Sequence, residues 1–71
     1  MLKYIDGSDG ITTVKDGDTV VARYIVDHHW REVNSYVKDG KVFIRLFNKM
    51  RKYLDAVVET GTEEIQKIPA D

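Results

Sequence analysis

The Asp-Gly pair at positions 39 and 40 constrains the fold more than any other feature of this sequence. Glycine adopts positive φ without penalty and aspartate tolerates it, so Asp-Gly between alternating apolar and polar residues favours a two-residue hairpin turn. Such alternation flanks the pair on both sides, in residues 32–38 and 41–47. The pattern therefore predicts an antiparallel hairpin in which Val37 faces Val42 and Tyr36 faces Phe43.

The predicted hairpin has two chemically different faces, because successive side chains of a strand point to opposite sides. One face pairs Ser35 with Ile44 and Val33 with Leu46, and we expect it to be part of the core. The opposite face pairs Asn34 with Arg45 and Glu32 with Phe47. It collects three aromatic and three basic residues, which we expect to point outward: Tyr36, Phe43 and Phe47 with Lys38, Lys41 and Arg45.

The tetrapeptide Val-Lys-Asp-Gly occurs at 14–17 and again at 37–40. The tetrapeptide suits a hairpin turn, so its independent use in two hairpins explains the recurrence better than an internal duplication. Both explanations stay open. The first copy separates two segments rich in β-branched residues, 11–15 and 19–26, which predicts a second hairpin. With 16–18 as a three-residue loop, Val14 would face Val20. Residues 2–5 predict one further short strand.

The spacing of apolar residues changes after Phe47 and becomes that of an amphipathic helix. Asn48 is a suitable N-cap and Gly61 a suitable C-terminal residue, so the sequence predicts a helix over about 49–59. Residues 62–65 predict either a helical turn or a last edge strand. Residues 62–71 form an acidic tail that we expect to fray in part. The helical spacing rests on Leu46, Phe47, Met50, Tyr53, Leu54, Val57 and Val58.

Together these elements predict an α+β fold, in which a C-terminal helix covers a small antiparallel meander of four or five strands. The meander would be SH3-like or a curled sheet, a plan that resembles small DNA-binding chromatin proteins. With 71 residues the chain corresponds to a single domain, 1–71. A chain of this size buries only about 60% of its unfolded surface, so every apolar face matters.

Charge and composition narrow the class of partner. The net charge of −1 argues against a general polyanion binder, yet residues 38–53 carry six cations against one acid, and 54–71 carry five acids against one cation. No cysteine is present, which excludes disulfides and thiolate zinc sites. The first residues lack the features of a signal peptide and no apolar run has membrane length. We therefore expect a cytoplasmic protein without a membrane partner.

The candidate partner-binding surface combines the outward aromatic rings with nearby cations. Aromatic and arginine side chains dominate binding energy at protein interfaces, and similar surfaces bind single-stranded nucleic acid by stacking. We predict a small regulatory protein that docks on another protein, with nucleic-acid binding as the alternative. The same rings could instead be covered by the helix, another strand or a second copy of the chain. The candidate residues are Trp30, Tyr36, Lys41, Phe43, Arg45, Phe47, Lys49, Arg51 and Lys52.

Catalysis and metal binding have little support in the sequence. No serine, histidine and aspartate are spaced as a catalytic group, so we expect no enzyme activity and no cofactor. His28 and His29 are adjacent, and in an extended chain their side chains point to opposite sides, so we expect no metal site. Residues 16–23 resemble a segment of the self-cleaving repressor peptidases. The serine motif expected upstream of that segment is missing, so the resemblance implies no activity here.

Overall fold

The structure, a computed structural model that describes residues 1–70, is built from seven β-strands in two sheets. Sheet A contains four strands in the order β1-β2-β3-β7, and sheet B contains three in the order β4-β5-β6. Neighbouring strands are antiparallel except β3 and β7, which run parallel. The strands are β1 (Leu2–Asp6), β2 (Ile11–Asp16), β3 (Thr19–Val26), β4 (Trp30–Lys38), β5 (Lys41–Asn48), β6 (Tyr53–Val58) and β7 (Ile65–Ile68).

The two sheets pack through one apolar face each. Tyr24 of β3 is fully buried, and its hydroxyl donates a hydrogen bond of 2.7 Å to Glu32 Oε1 on β4, which connects the sheets. Burial, reinforced by this bond, raises the pKa of the Tyr24 hydroxyl. Sheet A contributes Val14, Ala22, Tyr24 and Ile68 to the core, and sheet B contributes Val42, Ile44, Leu46, Ala56 and Val58.

The prediction of an α+β fold with a helix over 49–59 is wrong, because the part of the chain that the structure describes is all-β. Residues 49–52 form a turn and 53–58 form β6. Asn48 does not cap a helix: its side-chain oxygen accepts hydrogen bonds from the backbone of Met50 and Lys52. Arg51 has a φ of 62°, which breaks any helix at this point. The apolar residues also fit alternation, since Ala56 and Val58 point inward.

The hairpin around Asp39-Gly40 forms as predicted near its turn. Both turn residues have positive φ, and Val37 pairs with Val42 and Tyr36 with Phe43. The predicted pairing fails beyond Asn34, because a bulge between Glu32 and Asn34 shifts the register by one residue. Glu32 therefore faces Leu46 and Arg31 faces Phe47.

The first hairpin is tighter than predicted, because its turn contains two residues instead of three. Asp16 pairs with Thr19, and a register shift next to Val14 then places Val14 opposite Ala22. Both members of that pair are fully buried. Ala22 and Tyr24 both lie on the core side of β3, whereas the predicted pairing of Val14 with Val20 is wrong.

The C-terminal segment completes sheet A. Gly61, at a φ of 82°, donates its backbone N–H to Val21 O at 2.8 Å, which directs the chain back along β3. Residues 65–68, within the segment expected to fray, form β7, and Ile68 is 2% exposed. The predicted tail ends at Asp71, which lies outside the described residues. Residues 1–70 include no helix that could span a membrane.

Candidate interaction surface on the outer face of sheet B

The solvent side of sheet B carries the aromatic residues that the sequence placed outward. We call this surface the aromatic face. Its inward neighbours on β5 are buried, which confirms the predicted parity of this strand: Val42 is 3% exposed, and Ile44 and Leu46 are fully buried. The aromatic face is formed by Tyr36 on β4, by Phe43, Arg45 and Phe47 on β5, and by Tyr53, Asp55 and Val57 on β6.

Two aromatic pairs cross the strands of the aromatic face. The rings of Tyr36 and Phe43 lie opposite each other with centroids 5.1 Å apart and planes inclined by 5°. Phe47 and Tyr53 form the second pair, with a centroid distance of 4.8 Å and an angle of 43°. The parallel rings of Tyr36 and Phe43 therefore stack against each other across the strands, whereas Phe47 and Tyr53 are tilted.

A charged network lies between the two aromatic pairs. Arg45 donates two hydrogen bonds to Asp55, Nε to Oδ1 at 2.8 Å and Nη2 to Oδ2 at 2.9 Å. The hydroxyl of Tyr36 donates to Asp55 Oδ2 at 2.6 Å, and the Arg45 guanidinium lies 5.7 Å from the Tyr36 ring centroid. The carboxylate of Asp55 therefore binds both Arg45 and Tyr36, its neighbours on the sheet.

The network shifts the pKa of each of its members. The hydrogen bonds from Arg45 and then from Tyr36 lower the pKa of the Asp55 carboxyl to about 2. The hydrogen bond to Asp55 raises the pKa of the Tyr36 hydroxyl and that of the Arg45 guanidinium. These directions agree with each other, because both contacts of Asp55 favour its ionised form beside a protonated arginine and tyrosine.

Cations border the aromatic face at both of its ends. Lys38 and Lys41 face each other next to the β4–β5 turn. The β5–β6 turn carries Lys49, Arg51 and Lys52, all exposed. Asp55 pairs with Arg45 of β5 and not with a cation of this turn. The predicted basic residues thus divide into one that is held inside the face and several that lie on its rim.

Trp30 is the one predicted site residue that lies neither in the aromatic face nor on its rim. It is half-buried and packs against the core from the start of β4. It also lines a depression of about 220 Å³ between the β3–β4 turn and the end of β5. The depression is lined by His28, His29, Trp30, Arg31, Phe47, Asn48 and Lys49.

The sequence prediction missed three of the seven residues of the aromatic face. Tyr53, Asp55 and Val57 belong to β6, which was predicted as a helix. Val33, expected in the core, is 52% exposed because of the bulge in β4. A second, broad depression is lined by Val33, Asn34, Arg45, Tyr53 and Asp55. The sequence signal for β6 was the alternation of its side chains with a period of two residues, but the same apolar residues also fit a helical period.

One cluster of side chains in the described chain has the composition of a metal site. Asp27, His28 and His29 lie in the turn between β3 and β4, and their potential ligand atoms are all within 4.8 Å of one another. The hydrogen bonds from the backbone and the imidazole of His29 lower the pKa of the Asp27 carboxyl. Neither imidazole is buried.

Comparison of the chain with protein-family models, curated proteins and solved structures gives no significant match.

Proposed function

We propose that this protein is a small, non-enzymatic, cytoplasmic regulatory protein that docks through its aromatic face on a protein surface with an apolar centre and an acidic border. The observation that carries the proposal is the placement of two aromatic pairs on the solvent side of sheet B, fixed by the hydrogen-bond network of Arg45, Asp55 and Tyr36. The hydrophobic core lies on the other side of β5, so these rings are not part of it.

The exposed area of the aromatic face supports an interaction role. Tyr53 is 64% exposed, Val57 50% and Val33 52%, and they surround the half-buried rings of Phe43 and Phe47. Contiguous exposed apolar patches with a polar rim mark interaction surfaces in soluble proteins. Tyrosine and arginine are enriched among residues that dominate binding energy. The network also holds Arg45 before binding, which reduces the ordering cost of association.

The charges on the rim favour an acidic partner over a second copy of the chain. Both ends of the aromatic face are positive, with Lys38 and Lys41 at one end and the β5–β6 turn at the other. Two copies packed face to face would place cations against cations in either orientation, which opposes association. Acidic residues around an apolar surface would complement both ends at once and accelerate encounter.

The ring geometry favours a protein over a nucleic acid. Binding of single strands by stacking needs ring faces that point to solvent. The face of Tyr36 is covered by Phe43, and the Arg45 guanidinium also lies against this ring. The central cation is paired with Asp55, so it is not free to bind a phosphate. The exposed side chains of Tyr53, Val57 and Val33 remain available, and these suit an apolar protein surface.

The test is affinity capture from a lysate of the native host, followed by titration of the retained protein. The variants Tyr53→Ala and Val57→Ser remove exposed apolar groups from the aromatic face. We expect each to weaken binding of the retained protein by about tenfold or more, as for an interface hot spot. Lys49→Glu with Lys52→Glu should slow association with an acidic partner. Ile5→Ala is the matched control, because Ile5 is 46% exposed on sheet A.

Three outcomes would reject the proposal. One is capture that is equally strong for the Tyr53 variant and the Ile5 control. Another is loss of the captured material on nuclease treatment, together with a steep decrease in oligonucleotide binding as salt increases, which would establish the nucleic-acid alternative. The third is a face-to-face homodimer in sedimentation at micromolar concentration that the Tyr53 variant abolishes.

A further inference from the structure

The turn between β3 and β4 brings the only two histidines of the chain together. Trp30 N–H donates to Asp27 O at 2.8 Å, which closes a four-residue β-turn with His28 and His29 at its centre. The two imidazole centroids are 3.9 Å apart. The expectation that adjacent histidines diverge assumed an extended chain, and that assumption does not hold in a turn.

The distances within this turn match those between ligands of a small metal ion. Asp27 Oδ1 lies 2.9 Å from His29 Nδ1 and 3.8 Å from His28 Nδ1. Ligands at zinc bond lengths in a tetrahedral site are about 3.3 Å apart, so the two observed distances bracket the required one. We propose that Asp27, His28 and His29 bind one divalent transition-metal ion through a carboxylate oxygen and a nitrogen of each imidazole.

The donor set defines the class of metal. Imidazole nitrogens prefer Zn²⁺, Ni²⁺ and Cu²⁺, whereas Mg²⁺ and Ca²⁺ prefer oxygen ligands. Both imidazoles are accessible to an ion from solvent, since the side chains of His28 and His29 are 85% and 74% exposed, and Nδ1 of His29 already contacts Asp27 Oδ1. Three protein ligands leave a fourth tetrahedral position open to water or to a group of a partner. His28 and His29 also line the depression that Trp30 and Phe47 border.

The surroundings hold the carboxylate of Asp27 in place. Its Oδ1 accepts the backbone N–H of His29 at 2.9 Å, and the backbone N–H of Asp27 donates to Ile68 O at 2.8 Å. Such outer-shell bonds orient metal ligands and support affinity. Lys67 Nζ lies 3.6 Å from the other carboxylate oxygen. Its charge opposes the metal, but its 72% exposed side chain is free to turn towards solvent.

The first experiment titrates the full chain with ZnCl₂ by calorimetry and follows the imidazole resonances by NMR. We expect saturable binding of one Zn²⁺ per chain, with shifts of both histidines at the same metal ratio. The chain has only two histidines, so the assignment is unambiguous. MgCl₂ should produce neither signal. Failure to saturate, a shift of only one imidazole, or an equal response to Mg²⁺ would overturn the proposal without any variant.

The second experiment removes each ligand in turn with His28→Asn, His29→Asn and Asp27→Asn. Each loss should weaken Zn²⁺ binding by more than the roughly 10- to 100-fold that loss of an outer-shell partner costs. Asp18→Asn is the matched control, an exposed carboxylate in the β2–β3 turn at the other end of β3. Unchanged affinity in either histidine variant, or an equal loss in the Asp18 control, would overturn the site.

Discussion

In residues 1–70 no further helix or strand packs over the outer face of either sheet, yet the two faces are built from different chemistry. The aromatic face of sheet B holds stacked rings around a bidentate ion pair. The outer face of sheet A has aliphatic side chains and cations without such a network, and Lys3 lies directly opposite Lys15. By register and alternation this face carries Lys3, Ile5, Ile11, Thr13, Lys15, Arg23, Ile25, Ile65 and Lys67.

Both faces expose apolar and charged side chains, but only on sheet B are these side chains held together by a hydrogen-bond network. Isolated exposed isoleucines are common on protein surfaces. Among the residues that the structure describes, the one ion pair made by the cations of this face is that of Lys67 with Asp27. On sheet B the guanidinium of Arg45, the carboxylate of Asp55 and the hydroxyl of Tyr36 are ordered before any partner arrives. A preorganised surface loses less conformational entropy on binding, which is why we assign the docking role to sheet B.

The largest expected effect distinguishes a docking surface from a second core. Ile44→Ala removes a fully buried side chain and should lower the free energy of unfolding by about 2–5 kcal/mol. Phe43→Ala removes more atoms, but from the half-buried outer side of the same strand. It should cost less than Ile44→Ala and leave a folded domain. Urea unfolding of both variants measures the difference. An equal or greater loss for Phe43→Ala would show that the aromatic face is needed for folding.

The hairpin that presents Phe43 was predictable because two independent signals agree there. Asp39 and Gly40 have φ values of 53° and 73°, as the turn residues suggested, and alternation on both strands set the faces. The bulge at Val33 had no such signal, because it depends on how Glu32 meets Tyr24 across the sheets.

The helix prediction was wrong because the apolar spacing of residues 53–58 does not distinguish a helix from a strand. Residues 53–58 satisfy both the helical and the alternating period, and short apolar segments are ambiguous in this respect. Strand pairing decides the outcome: Arg45 lies opposite Asp55, and Val42 opposite Val58. Pairing between distant residues is a tertiary property, so the ion pair at the centre of the aromatic face could not be inferred from local spacing.

Acidification tests whether the ion pair stabilises sheet B. The carboxyl of Asp55 has a pKa of about 2 in the fold, below its ordinary 3.8. A lowered pKa stabilises the folded state above pH 3.8, and this contribution is lost as the pH falls towards 2. The wild type should therefore be more stable than Asp55→Asn at pH 5, and the difference should shrink between pH 4 and pH 2.

Thermal unfolding across this pH range measures that difference, and Arg45→Gln provides the matched variant. It removes the hydrogen bonds from Arg45, the main cause of the low pKa of Asp55, so its stability profile should resemble that of Asp55→Asn. Parallel profiles for the wild type and Asp55→Asn from pH 5 to pH 2 would show that the pair contributes nothing to folding. The two outer faces would then differ in composition only.

The smallest expected effect tests whether Lys3 and Lys15 on the outer face of sheet A repel each other. Like charges directly opposite on antiparallel strands are unfavourable, by roughly 0.2–1 kcal/mol relative to a favourable pair. Lys3→Glu and Lys15→Glu should each raise the free energy of unfolding by about this amount at low salt, and less at high salt. The double variant restores a like-charge pair, so its stability should return towards the wild type. Gains that simply add in the double variant would show that these two residues do not interact, and that the repulsion inferred from their register is absent.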